Sequence, residues 1–246
     1  MDSWRIKPIK IGEVYGDYSF NMAYTEMGKK WWVPAYVWYV TNGKKNVLID
    51  TGLGDPEEAN QFQSLFQVRT PGPIDKILRE KACDPKEIDI VILTHLHWDH
   101  CGSTELFENA EFFVQREEVQ FAVAPPDICA VAFNSPSIGR RPSWLNHPLS
   151  FLDGDAEILE GLSVMKTPGH TPGHQSVLVR MENKVYGIAG DLFNLYENLK
   201  AQGHIRFSPP ACLDFIAWYH SARKFYAACD EVIPGHDPHI KEEWML

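Results

Sequence analysis

This sequence has no CxxC pair, no long apolar run and no surplus of positive charge, and each absence removes a class of function. Its five cysteines, Cys83, Cys101, Cys129, Cys212 and Cys229, are odd in number, which fits reduced thiols rather than a disulfide framework. No stretch approaches the roughly 18 apolar residues a membrane helix needs, and Met1-Asp2-Ser3-Trp4-Arg5-Ile6-Lys7 lacks the apolar core of a signal peptide. A cytoplasmic location with no membrane partner is expected. Lys and Arg number 23 against 33 Asp and Glu, a formal net charge of -10. Such a balance draws in no phosphate backbone, so nucleic acid is not an expected partner.

What is present is enough apolar material, 44% of 246 residues, for one domain spanning 1–246 with an ample core. Tyr36–Thr41 and Asn46–Asp50 are β-rich runs across the turn signal Asn42-Gly43-Lys44-Lys45, a predicted hairpin. A helix is predicted over Ile74–Lys81, with Pro71 and Pro73 before it and Asp84-Pro85 after it. Ile88–Thr94 is short and β-branched, a buried strand. Ala110–Val114 follows as a strand and Arg116–Val123 as a short helix. Residues 124–148 hold five prolines and no clear period, an excursion suited to a lid or a partner surface, including a second copy of the chain. Strand pairs recur at Ala156–Leu159 with Leu162–Lys166 and at Ser176–Met181 with Val185–Ala189. A helix over Asp214–Cys229 then leads into the short strand Glu231–Ile233. A βα pattern recurs in both halves without residue-level similarity, so no repeat is inferred. Alternating strands and helices, with polar residues at strand ends, predict a layered α/β domain whose chemistry sits at those ends.

The densest chemistry is His95-Leu96-His97-Trp98-Asp99-His100. In an extended stretch His95, His97 and Asp99 point one way while His100 turns the other, so one loop can feed two adjacent ions. Chance produces HxHxDH in a chain of this composition on the order of once in a thousand. Neutral imidazoles favour zinc and other borderline metals, and a carboxylate among them suits a second ion or a bridge. Further candidates follow glycine-containing turns: His170 in Thr167-Pro168-Gly169-His170-Thr171-Pro172-Gly173-His174, Asp191 after Gly190, and His236 in Pro234-Gly235-His236-Asp237. His147, His204, His220 and His239 have no partner motif.

HxHxDH, PGHTPGH, AGD and PGHD, in this order over roughly Val37–Asp237, resemble the metallo-β-lactamase superfamily. The resemblance implies an αββα sandwich of two β-sheets flanked by helices, and two divalent ions, zinc first, with iron, manganese or cobalt as alternatives. By motif position it places His95, His97 and His170 on one ion, Asp99, His100 and His236 on the other, and Asp191 between them. Asp50, at a strand end before Thr51-Gly52, is expected to support the ligand loop. His174, four residues after His170, suits a hydrogen-bonding support or a plain turn position, and Cys101, next to His100, is a minor candidate for a metal or substrate contact.

HLHWDHCG together with GHTPGHQS resembles the N-acyl homoserine lactonase-like branch. That branch implies opening of a lactone or related cyclic ester by a metal-bridging hydroxide, with Asp99 as a candidate acid for the leaving oxygen. A thioesterase of the glyoxalase II type, or another ester or amide hydrolase, is the alternative. A di-iron redox enzyme of the flavodiiron type would carry Glu at the position of His97. One departure stands out: lactonases of the branch place Tyr three residues after the bridging Asp, and here that residue is Asn194. Asn194, or Tyr196 two residues on, is expected to replace it. The expected partner is a small molecule with an apolar or aromatic part, and Trp31, Trp32, Phe193, Tyr196 and Phe207 are candidates to line its pocket.

Overall fold

The structure, a computed structural model, describes residues 4–201, 206–242 and 244. His204 lies outside the described residues. The strands are β1 (Arg5–Asp17), β2 (Lys30–Thr41), β3 (Asn46–Ile49), β4 (Gln67–Arg69), β5 (Ile90–Ile92), β6 (Glu111–Gln115), β7 (Leu149–Leu152), β8 (Ala156–Leu159), β9 (Leu162–Lys166), β10 (Gln175–Met181), β11 (Lys184–Ile188) and β12 (Glu231–Ile233). They form a seven-stranded sheet in the order β4-β1-β2-β3-β5-β6-β7 and a five-stranded sheet in the order β12-β11-β10-β9-β8. The helices are α1 (Pro56–Phe62), α2 (Ile74–Lys81), α3 (Arg116–Val123), α4 (Asp127–Ala130) and α5 (Phe215–Ala228).

Period-two alternation explains the layering. In β3, Val47 and Ile49 join the core between the sheets, whereas Leu48 joins the core on the opposite face of the first sheet. Ile90 and Ile92 against Val91 repeat this division in β5, as does Trp38 against Val37 in β2. A strand covered on both faces reads as a continuous apolar run, which is why the central parallel strands show no polar alternation. From the second sheet, Leu162, Val164, Val177, Val179 and Ile188 fill the same inner layer. Ala59, Ile77, Leu78 and Ala122 bring α1, α2 and α3 onto the outside of the first sheet. Trp218, Ala222 and Phe225 bring α5 onto the outside of the second. The result is helix, sheet, sheet, helix, the αββα sandwich the motifs imply.

The 13-residue strand β1 has no counterpart in the sequence-based reading. Its register with β2 shifts between Lys10 and Gly12, so its apolar residues change face midway, and Pro8, Gly12 and Gly16 further mask the strand. β5 is shorter than Ile88–Thr94 predicts: it starts at Ile90, and beyond Ile92 the Leu93 N–H makes one last bond to Phe113 O at 3.0 Å before the chain turns into the histidine loop. The excursion 124–148 is less irregular than its prolines suggest. It holds α4 and two 3-10 turns, Pro136–Ile138 and Ser143–Asn146, and buries Ala130, Phe133 and Trp144. Ala132 O accepts the Trp98 N–H at 2.9 Å and Ser143 Oγ donates to Cys101 O at 2.9 Å, so the excursion braces the back of the histidine loop. No helix among the described residues is long and apolar enough to cross a membrane.

Candidate metal centre

Loops leaving the C-terminal ends of β3, β5, β9, β11 and β12 meet at one edge of the sandwich, where α/β sheets place their ligand sites. They bring three groups of donor atoms together, each within 4.8 Å: His95, His97 and His170; His95, His100 and Asp191; Asp99, His100 and His236. Six of the seven candidates therefore fall into the two sets their motif positions imply, and Asp191 stands between the sets. Its Oδ1 lies 3.2 Å from His100 Nε2 and 3.1 Å from His236 Nε2, while its Oδ2 lies 3.3 Å from His170 Nε2. One carboxylate thus divides its oxygens between the two halves of the cluster.

Hydrogen bonds behind the rings decide which nitrogens face inward. Ala211 O lies 2.8 Å from His170 Nδ1, and Pro34 O lies 2.9 Å from His236 Nδ1. A carbonyl oxygen only accepts, so both rings carry a proton on Nδ1 and turn Nε2 to the centre. His100 Nδ1 lies 2.7 Å from Asp50 Oδ2, which sets the same orientation. Thr94 Oγ1 donates to Asp50 and so accepts from His95 Nδ1 at 3.1 Å. Asp50 adopts φ 60°, a left-handed conformation that Asp tolerates, and from there its Oδ1 also accepts the Thr94 N–H at 2.7 Å. It supports the ligand loop as expected.

The donor set fits divalent metal ions. His95 Nε2 is buried without a hydrogen-bond partner, His100 Nε2 has only the Asp191 carboxylate nearby, at 3.2 Å and out of hydrogen-bond geometry, and His97 Nδ1 stands 3.0 Å from His170 Nε2. Unpartnered buried nitrogens are costly unless a cation takes the lone pairs. Electrostatics agree. Burial holds His95, His97 and His170 below the usual imidazole range. Burial also disfavours a charged His100 or His236, but the Asp191 carboxylate, aided at His100 by Asp99 and Asp50, outweighs it and raises both. Asp191 itself is held well below the carboxylate range, against its burial, by His100, His236 and His170. Carboxylates that draw protons onto two imidazoles would draw a metal ion in their place.

His174 has a supporting position. Its Nε2 accepts the Asp191 N–H at 3.1 Å, and its Nδ1 lies 2.9 Å from Thr167 Oγ1. Burial lowers its pKa to about 3, so it stays neutral. Cys101 turns away from the centre: its Sγ donates to His97 O at 3.2 Å, and burial pushes its thiol well up. His147 stacks on Phe112 at 4.6 Å, and His239 pairs with Asp237 at 3.2 Å, both apart from the cluster.

A cavity of about 490 Å³ opens onto the cluster, lined by His97, Asp99, His170, Asp191 and His236. Asn194 lines it and Tyr196 does not. Tyr196 is half-buried beside Asp237, whose Oδ2 accepts its N–H at 2.8 Å, and burial lifts its phenol to about 12. The aromatic lining also differs from expectation. Phe20, Phe66, Trp98 and Phe133 supply it. Trp31 packs on Tyr18, Trp32 on Tyr15, and Phe193 on Trp218 and Phe207. Sequence distance hid the true lining, because the cavity wall is assembled from the β1–β2 connection, the loop after α1 and the excursion.

Two further residues of the site escape the sequence reading. Asn21 accepts from Asn194 Nδ2 at 3.2 Å through its Oδ1 and is itself buried in the cavity wall; no motif marks it. Glu118 is fully buried beneath the ligand loops. Its signal was available, since it shares the inward face of α3 with Ala122, four residues on.

Comparison with known proteins agrees with this geometry. The family model described as the metallo-beta-lactamase superfamily matches residues 31–236. The N-acyl homoserine lactonase of Bacillus thuringiensis is 29% identical over 175 residues, 67% of this chain and 65% of that protein. A relative of the same description from Bacillus sp is 29% identical over 161 residues, 61% of this chain and 60% of that protein. The chain therefore spans less than two thirds of the length of these curated relatives. A solved N-acyl homoserine lactone hydrolase, with the product N-hexanoyl-L-homoserine at its catalytic metal centre, superposes with a TM-score of 0.79 at 22% identity, covering 97% of this chain and 95% of that one. AidC, a dizinc quorum-quenching lactonase, superposes with a TM-score of 0.68 at 19% identity, covering 97% and 92%. Both share the fold. With four sequence motifs, the αββα layering and a family model that spans most of the chain, this protein belongs to the metallo-beta-lactamase superfamily.

Proposed function

We propose that this protein is a metal-dependent hydrolase that opens a lactone or a related cyclic ester. The observation that carries the reading is the divided Asp191 carboxylate, flanked by His95, His97 and His170 on one side and Asp99, His100 and His236 on the other. We assign these seven residues as ligands of two divalent ions. Zinc is the first choice, because imidazoles dominate the donors and AidC, which shares the fold, is a dizinc enzyme. Iron, manganese and cobalt suit the same donors.

When bound, two such ions would supply a water activated near neutral pH and a Lewis acid for a carbonyl. The remaining work falls to the chain. Asp99 both faces the cavity and belongs to the cluster, a position from which it would hand a proton to the leaving oxygen. Asn194 stands on the cavity wall with one Nδ2–H donated to Asn21 Oδ1, and its second Nδ2–H is the donor we assign to the orienting task a Tyr has in the related lactonases. Val14, Val33, Phe20 and Phe133 exclude water from the rest of the cavity, which suits a substrate with an apolar acyl or aromatic part. Quorum quenching, the role attached to AidC, is the biological setting we propose. Five free thiols accord with a cytoplasmic location, and the exposed Ile128 on the excursion is the reason to test for a homodimer by sedimentation.

The reading predicts about two metal ions per chain and hydrolysis of a γ-lactone panel, followed by acid release, at rates well above those for a glutathione thioester. The reverse ranking would move the assignment to a thioesterase. Metal-replete protein that turned over neither substrate would sink the hydrolase reading for both classes.

A further inference from the structure

Glu118 is completely buried, yet it neither faces the cavity nor belongs to the donor cluster. Its Oε1 accepts the Leu96 N–H at 3.0 Å, and its Oε2 accepts the Thr171 hydroxyl at 2.7 Å and the Gly173 N–H at 2.9 Å. Leu96 lies between His95 and His97, whereas Thr171 follows His170 and Gly173 precedes His174. One carboxylate therefore ties together the two loops whose histidines meet at His97 Nδ1 and His170 Nε2, 3.0 Å apart. The close approach depends on glycine, since a Cβ at position 173 would stand 2.2 Å from Glu118 N.

Burying a carboxylate is costly, and burial raises the Glu118 pKa to about 7 in spite of its three donors. Its place in the first turn of α3 offsets part of that cost through the positive end of the helix dipole. An apolar side chain would fill the space at less expense but would leave three loop donors unpaired.

We propose that Glu118 is a positioning residue that holds the His95–His100 loop and the His170–His174 loop in mutual register, so that His97 and His170 can share one metal ion. The inference rests on the reading of those histidines as ligands. Glu118→Gln tests it, because the amide offers one acceptor for three donors and turns N–H groups toward N–H groups. Zinc affinity, read by competition with a chelating dye, is expected to fall 10- to 100-fold, the usual effect of losing a group that orients ligands. The absorption bands of the cobalt-loaded protein are expected to shift, because the ligands move. Thr171→Val removes one of the three donors and should shift both readouts in the same direction by less; it carries the test if Glu118→Gln does not fold. Glu117→Gln, an exposed neighbour on the same helix, should change neither. Wild-type affinity and an unchanged cobalt spectrum in Glu118→Gln, or in Thr171→Val where that variant carries the test, would overturn the inference and leave the metal reading intact. An equal loss in Glu117→Gln would also overturn it. Wild-type protein that bound no metal would overturn both.

Discussion

His174 Nε2 accepts the backbone N–H of Asp191 at 3.1 Å, so a histidine that looks like an eighth ligand instead holds the carboxylate that divides the cluster. The direction of every bond in this chain follows from that N–H. It obliges Nε2 to be bare, which puts the proton on Nδ1 for Thr167 Oγ1; Thr167 then donates to Ser176 Oγ, and Ser176 to Ala189 O. His174→Asn cannot span the same gap and should destabilise the metal-free protein at pH 7 by roughly 1–3 kcal/mol. The deficit should shrink on acidification. With a folded-state pKa of about 3 against an ordinary value near 6.5, the unfolded chain gains a proton below pH 6.5 that the folded chain refuses. Wild type loses that contribution as pH falls from 6.5 towards 3, and Asn does not titrate. Urea midpoints of both proteins at pH 7, 6 and 4.5 with a chelator check this, and a deficit that grew with acidity would contradict the assigned tautomer.

Asp50→Asn isolates the carboxylate from the backbone. Asn tolerates the left-handed φ of 60° at this position, but its amide nitrogen cannot accept from His100 Nδ1 or Thr94 as both Asp50 oxygens do. Metal affinity should drop about 10- to 100-fold, and thermal stability of the metal-free form should also fall. Dialysis against buffered zinc, followed by elemental analysis, measures the first effect.

Asp191→Ala removes the carboxylate whose two oxygens address both halves of the cluster. Metal content should fall from about two per chain to one or none, and lactone turnover should be abolished. The parallel test on wild type is chelation. Because an ion that binds only the folded state stabilises by roughly 2.7 kcal/mol at a hundredfold excess over its Kd, metal removal should lower the melting temperature by several degrees.

Asn194→Ala should keep its metal and lose about 10-fold in turnover, as expected for one orienting hydrogen bond. Asn21→Ala should act in the same direction, because it frees Asn194 Nδ2 from its partner. Atomic absorption of the purified variants, followed by steady-state rates on the best lactone of the panel, separates metal loss from lost orientation. Unchanged turnover in both variants would remove the amide pair from the site.

Much of the centre could be read without a structure because its residues are local in sequence. HxHxDH concentrates four donors in six positions, and the other three donors follow glycine turns at strand ends. The helix over Ile74–Lys81 and the strand Leu162–Lys166 were equally legible, since one continuous period runs through each. β1 was not, because its register shift moves the apolar residues from one face to the other.

The sequence by itself determined which side chains can hold metal and that the domain is a layered α/β one, because ligand chemistry and hydrophobic period are properties of short segments; the sandwich was implied by the family resemblance of its motifs. Only the tertiary structure decided how those side chains are oriented and what surrounds them. Pro34 and Ala211 aim His236 and His170, Asn21 reaches Asn194 across 173 positions, and Glu118 clamps two loops from a helix that belongs to neither. Each of these contacts joins distant segments through a backbone carbonyl, an amide or a lone carboxylate, and such groups acquire a role only when folding brings their partners within hydrogen-bond reach.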